Sequence, residues 1–190
     1  MKLQDLLTGF EVLQVVGNTD ISITGIQSDS RRVVHGNVFV AQAGTTVDGH
    51  AYIPQCINNG AVAIVLDNPQ YMPSHTSDTV YVLVKSSDEA LGKMAHTFFG
   101  CPSHSLRLIG VTGTNGKTTI ASLLYDLVQS MGYKAGLIST VIYRIGQHSI
   151  ASTHTTPDAI RLNQMMREMV DEGCDYCFME VSSHAAAQHR

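Results

Sequence analysis

The stretch Leu106 to Thr119, LRLIGVTGTNGKTT, restricts what this chain can fold into more than any other. Leu108, Ile109 and Val111 form an apolar run that reads as a buried strand. It gives way to the loop Gly113-Thr114-Asn115-Gly116 and then to Lys117-Thr118-Thr119. Ile120, Leu123, Leu124, Leu127, Val128 and Met131 follow at helical spacing and predict a helix with those residues on its core face. Strand, glycine loop, Gly-Lys-Thr and helix in succession are the setting of a phosphate-binding loop. Glycines let backbone N–H groups turn towards a polyphosphate, and the unpaired N–H groups of the helix start carry partial positive charge. Lys117 can reach the outer phosphates, and the Thr118 hydroxyl can ligate Mg²⁺. The loop is a shortened variant, because Val111 stands where the longer pattern would place its first glycine.

The bulk properties narrow the partners. With 190 residues, 44% hydrophobic and 15% charged, the chain can bury a core of one medium domain, or of one small domain and part of another. Net charge is −4 and the 12 Lys and Arg are scattered, which argues against nucleic acid as a partner. No apolar run approaches the roughly 18 residues of a membrane span, so no membrane partner is expected. The N-terminal MKLQDLLTGFEVLQ contains an Asp and a Glu and no cleavage site of small residues, which points to the cytoplasm. Cys174 and Cys177 have C-x-x-C spacing, but the pair lies in what reads as a buried strand and no second pair exists, a poor setting for zinc or redox chemistry.

Along the chain, residues 2 to 9 predict a short helix, and Glu11 to Val16 and Ile21 to Ile26 predict strands. A polar corner at residues 28–32 precedes a strand over Asn37 to Ala41. A helix over Ala51 to Asn59 and a buried strand over Ala61 to Leu66 come next. Residues 67–78 read as a loop and Val80 to Val84 as a strand. Ser86 with Glu89 has the form of a capping box ahead of a helix through Phe98. Gly100 to Ser105 is rich in breakers and is the best domain boundary, so the expected domains are residues 1–104 and 105–190. In the second domain a strand is expected over Ala135 to Ile142. A helix capped by Thr156, with Pro157 at its first position, should follow and end at Gly173. A last strand, Tyr176 to Val181, leads into Ser182-Ser183-His184. Alternating strands and helices argue for an α/β fold with a parallel sheet, whose ligands sit at the carboxyl ends of strands.

Glu180 falls at such an end. A carboxylate closing an apolar strand needs a partner, and the Mg²⁺ expected at Thr118 is the obvious one; a Glu pointing to solvent at the sheet edge is the alternative.

Three segments together resemble one family. Thr112 to Thr118 resembles the shortened nucleotide loop of the Mur ligases. Glu180-Val181-Ser182-Ser183-His184 with Gln188-His189-Arg190 resembles the MurE branch, which adds the third amino acid of the peptidoglycan stem peptide. Asp29-Ser30-Arg31, Phe39-Val40-Ala41, Gly44 and Asp48-Gly49-His50 resemble that branch's uridine-binding N-terminal domain. The resemblance runs through essentially the whole chain. It implies a small N-terminal α/β uridine-binding domain followed by the first part of a P-loop ATPase domain. ATP would be cradled by Gly113, Thr114, Asn115, Gly116, Lys117, Thr118 and Thr119, with Lys117 on the transferred phosphate. Thr118 and Glu180 would hold Mg²⁺, and Lys117, Thr118 and Glu180 would form the catalytic set. Ser30, with Thr45 and Thr46 nearby, would contact the uridine end of the nucleotide sugar. Thr155, Thr156, Ser182, Gln188 and Arg190 would bind the muramoyl-dipeptide and diphosphate. His154 stands where such ligases often carry Asn. Taken alone, Ser30 could cap a turn, Thr156 a helix, and Arg190 could be a frayed terminus.

The chemistry implied is transfer of a phosphoryl group from ATP to the dipeptide's carboxylate, followed by attack of the incoming amine. The resemblance also implies a protein of cell-wall synthesis, and so of cell shape and division. The amino acid would be bound by a domain absent here, and this stretch by itself would be a truncated piece without ligase activity. Two other readings remain open on sequence: a nucleotide-binding regulatory module, and a ligase of the folylpolyglutamate synthetase type.

Overall fold

The computed structural model describes residues 1–44, 47–75, 78–145, 148–151 and 157–182. The chain divides into two compact units, Met1–Phe98 and Phe99–Arg190.

In the first unit, β1 (Val12–Val16), β2 (Gly25–Gln27), β3 (Asn37–Val40), β4 (Ala63–Leu66) and β5 (Val80–Val84) form one sheet in the order β1-β5-β4-β3-β2. β2 to β5 run parallel, and β1 joins β5 antiparallel at the edge. β3, β4 and β5 are buried throughout, as expected of parallel strands covered on both faces. Phe39, Ile64, Leu66 and Leu83 pack with Ile53 and Cys56 of α2 (Ile53–Asn58). α1 (Leu3–Leu6) packs against α3 (Ser87–Phe98), which also contacts β2 and β4.

Several local expectations change. The N-terminal helix is one turn rather than residues 2–9. The strand expected over Ile21 to Ile26 reduces to Gly25–Gln27, with Ser22 making an isolated bridge to Lys2. The helix expected from Ala51 starts as a 3-10 turn, Gly49–Tyr52, because Pro54 belongs at the first turn of an α-helix and has no N–H to continue one. Ser86 does cap α3: its hydroxyl accepts from Glu89 N at 3.3 Å, and Asp67 Oδ2 accepts from Ser87 N at 3.0 Å.

The second unit has the strand order β6-β10-β7-β8-β9, formed by Arg107–Val111, Tyr176–Glu180, Ala135–Ile138, Ile142–Ile145 and His148–Ala151 respectively. β6, β10 and β7 are parallel, whereas β8 and β9 run antiparallel. The sheet is therefore mixed, and the single strand expected over Ala135 to Ile142 is two strands. Ser139 makes the break. Its Oγ donates to Ile142 O at 2.8 Å and accepts from Val141 N and Ile142 N, which closes a turn in the middle of the apolar run.

α4 (Lys117–Ser130) lies on one face of this sheet and α5 (Ala159–Asp171) on the other. α5 is capped by Asp158, which accepts from Arg161 N at 2.8 Å, rather than by Thr156. The stronger acceptor sits nearer the helix, and Pro157 precedes the cap instead of occupying the first helical position. The core face of α4 also differs. Ala121 and Tyr125 are buried, with Leu124 and Val128 packed beside them, while Ile120, Leu123, Leu127 and Met131 are exposed. An apolar arc wider than the strip a sheet covers has a helical period, but the period does not choose which part of the arc is buried.

Gly136 lies under α5: a Cβ built there would sit 2.3 Å from Met169 Sδ and 2.5 Å from its Cε. Met169 is fully buried. Gly136→Ala is expected to destabilise the protein by about 1–3 kcal/mol in urea unfolding. Combined with Met169→Ala, the two changes should together cost less than the sum of their separate losses, since the two sites share one contact.

Candidate functional site

β6 ends at Val111 and the glycine loop follows at its carboxyl end. Gly113 has φ 143° and Gly116 φ 79°, so both take conformations that a Cβ disfavours. Gly116 is the N-cap of α4 and no side chain caps the helix, which leaves its first N–H groups available. Residues 112–116 are exposed. The Lys117 ammonium folds back over this loop, donating to Gly113 O at 2.6 Å and to Thr114 O at 3.4 Å.

Glu180 is the last residue of β10 and pairs in register with Val111, the residue that opens the loop. Alternation along β10 sends Cys177 and Met179 to the α5 side and Phe178 to the α4 side. Glu180 shares parity with Phe178, so its carboxylate is on the face where α4 begins. It is 1% exposed. Its Oε1 accepts from Thr140 N at 3.0 Å and, in a longer contact, from Thr140 Oγ1 at 3.4 Å. Thr140 Oγ1 in turn lies 3.3 Å from Thr118 Oγ1. The carboxylate and the helix-start hydroxyl thus converge on one threonine.

Among the described residues no cationic side chain pairs with Glu180. A buried carboxylate in that position suits a cation supplied with a ligand. One carboxylate, one hydroxyl and phosphate oxygens are an all-oxygen donor set of the kind Mg²⁺ takes. Ser182, half-buried, follows two residues later. Thr140 is the site residue that sequence reasoning missed, because it fell inside what read as one continuous strand.

Cys177 is fully buried, and burial pushes its thiol up to about 12, so it stays protonated and packs as core.

The first unit carries the other candidate set. Ser30 is buried at the start of a 3-10 turn, Ser30–Arg32, whose cap is Asp29. Asp29 accepts from Arg31 N at 3.0 Å and grips the Arg31 guanidinium through Nε at 2.9 Å and a terminal nitrogen at 2.8 Å. His50 is buried. Its Nδ1 lies 2.6 Å from Asp48 Oδ1 and its ring stacks on Tyr71 at 5.2 Å. Its Nε2 lies 3.3 Å from Asp67 Oδ1 without hydrogen-bond geometry. Thr45, Thr46, Thr155, Thr156, Gln188 and Arg190 lie outside the described residues.

A parallel strand, a glycine loop, Lys and Thr at a helix start, and an acid on the adjacent strand define a unit of the P-loop α/β class. The family model described as Mur ligase middle domain matches residues 111–190, and that described as Mur ligase family, catalytic domain matches residues 22–99. The chain belongs to the Mur ligase family.

The UDP-N-acetylmuramoyl-L-alanyl-D-glutamate--2,6-diaminopimelate ligase of Bacteroides fragilis is 51% identical over 191 residues, covering 100% of this chain and 39% of that protein. The ligase of the same name from Clostridioides difficile is 39% identical over 190 residues, again across 100% of this chain and 38% of its own length. The chain therefore spans about two-fifths of these relatives. A solved structure of a ligase with that same name superposes with TM-score 0.79 at 23% identity, covering 100% of this chain and 37% of the other. The MurF ligase of Thermotoga maritima in complex with ADP matches 83% of this chain and 32% of its own, with TM-score 0.55 and 25% identity. Among the described residues, no helix is long and apolar enough to cross a membrane.

The polar corner of the first unit makes a pH prediction. Asp29 is held below its ordinary 3.8 chiefly by the Arg31 side chain, and Asp48 chiefly by the His50 backbone N–H. A depressed folded-state value means that the unfolded chain binds more protons in acid. The stabilisation is therefore present above about pH 4 and is lost as pH falls through the lower folded values. In melting curves between pH 5 and pH 2, Asp29→Asn/Asp48→Asn should show a shallower acid decline than the unaltered protein.

Proposed function

We propose that the intact protein is an ATP-dependent ligase that joins 2,6-diaminopimelate to UDP-N-acetylmuramoyl-L-alanyl-D-glutamate in peptidoglycan synthesis. The observation that carries this reading is the convergence of Glu180 and Thr118 on Thr140 beside the open glycine loop. Relatives named for that reaction, about half identical across the whole chain, supply the substrates.

On this reading residues 1–104 bind the UDP-sugar, with Ser30, Thr45 and Thr46 at the uridine. Residues 105–190 are part of an ATP-binding domain. Gly113 to Thr119 receive the triphosphate, while Thr155, Thr156, Ser182, Gln188 and Arg190 meet the muramoyl-dipeptide and diphosphate. Thr118 and Glu180 would hold Mg²⁺, which would supply positive charge against the phosphate oxygens. The reaction proper belongs to the cytoplasm, and through the cell wall to cell shape and division.

The chemistry required is electrostatic. The dipeptide's terminal carboxylate attacks the γ-phosphorus of ATP as ADP leaves, forming an acyl phosphate. The amine then attacks the acyl carbon, and phosphate departs as the amide forms. A carboxylate approaching a triphosphate is like charge meeting like charge. The loop N–H groups and Lys117 offset that repulsion by donating to the oxygens on which charge accumulates. Lys117 must leave the Gly113 carbonyl to do so, which a rotatable four-carbon stem permits.

Calorimetry on the intact protein tests the reading. UDP-N-acetylmuramoyl-dipeptide and ATP should both bind and folate should not. Tight ATP binding with no affinity for the UDP-sugar would leave a nucleotide-binding regulatory module instead. Lys117→Ala removes a charge-assisted donor and should weaken ATP by about 1.5–3 kcal/mol, about 10- to 100-fold, with UDP-sugar affinity unchanged.

A further inference from the structure

Thr140 touches both groups that the proposed cation site requires, and nothing in the reaction itself calls for a second hydroxyl there. Its backbone N–H is free to act because β7 ends at Ile138 and Ser139 closes the turn to β8, taking Thr140 out of the ladder. That N–H reaches Glu180 Oε1 at 3.0 Å. The hydroxyl is ordered as well. A threonine has one hydroxyl proton; donated to Glu180, it leaves Thr118 as the donor of the 3.3 Å contact between the two threonines. Thr118's proton is then taken up by Thr140, and its oxygen lone pairs remain unencumbered. Glu180 is left with Oε2, for which the described residues provide no donor.

We propose that Thr140 is the positioning residue of the cation site: its amide and hydroxyl fix the Glu180 carboxylate, and its oxygen takes the Thr118 proton, so both ligands present lone pairs to a divalent cation. This rests on the reading of Thr118 and Glu180 as ligands. An outer partner of this type sets the orientation and basicity of the inner ligands, and its loss weakens metal binding while the nucleotide's other contacts persist.

The test is calorimetric titration of the intact protein with ADP, without divalent metal and across a series of Mn²⁺ concentrations. Thr140→Val keeps the amide and removes the hydroxyl; Thr140→Ser keeps both; Thr140→Ala serves as a second hydroxyl-free variant if the valine change impairs folding, as judged by its melting temperature. The hydroxyl-free variant should need about tenfold more Mn²⁺ to reach half of its metal-dependent gain in ADP affinity, with metal-free affinity unchanged and Thr140→Ser matching the parent. An unaltered Mn²⁺ requirement in the hydroxyl-free variant overturns the role of Thr140. So does an equal loss in Thr140→Ser, or a parallel loss of metal-free affinity. If the unaltered protein binds ADP with no metal dependence, the ligand assignment of Thr118 and Glu180 fails first, and the inference with it.

Discussion

The buried carboxylate of Glu180 is the constraint on which the second unit depends. Placed at the end of a strand whose other side chains are core, it has to be held by groups that tolerate its charge, and Thr140 is the group present. Three elements must agree for that contact to exist. β10 has to insert between β6 and β7, its register has to set Glu180 opposite Val111, and the chain has to reverse immediately after β7. A slip of one residue in β10 would turn Glu180 to the α5 face, into a cluster built from Met165, Met166 and Met169. The cost of an unpaired carboxylate among thioethers makes the register a matter of energy as well as of pattern.

That reversal was illegible in the sequence for a physical reason. The run from Ala135 to Ile142 is apolar at most positions, and apolarity reports burial, not direction. Ser139 and Thr140 inside it are small and compatible with a strand, so nothing local distinguishes a continuous strand from a turn closed by a serine side chain. The hydrogen bonds that decide the matter are made only when Ser139 Oγ meets the N–H groups of Val141 and Ile142. The glycine loop is the opposite case. Its chemistry depends on residue types at fixed offsets within one turn, so Gly113, Gly116, Lys117 and Thr118 could be placed without knowing the fold around them. Glu180 lies between these extremes: the strand was readable, but its neighbours required the topology.

The faces of α4 and α5 make the same distinction at the level of packing. α5 has one apolar side, Leu162, Met165, Met166 and Met169, and that side is buried as its period implies. α4 carries apolar residues over more than half of its circumference, and the sheet took Ala121 and Tyr125 because a small residue lets the helix approach the strands closely while the tyrosine ring covers them. Ile120, Leu123, Leu127 and Met131 are left as an exposed stripe. Periodicity locates an apolar arc but, where that arc is wide, not the part of it that the sheet covers.

Lys117 shows how the loop is organised before any ligand arrives. A bare ammonium over exposed N–H dipoles would be repelled, so it turns to the carbonyls of Gly113 and Thr114. The same contact that satisfies the lysine also ties the loop's first glycine to the first turn of α4. A polyphosphate competing for the ammonium exchanges one charge-assisted hydrogen bond for another, so the net gain is smaller than the strength of either bond. The larger part of the attraction must then come from groups with no partner to surrender, the uncapped N–H groups at the start of α4.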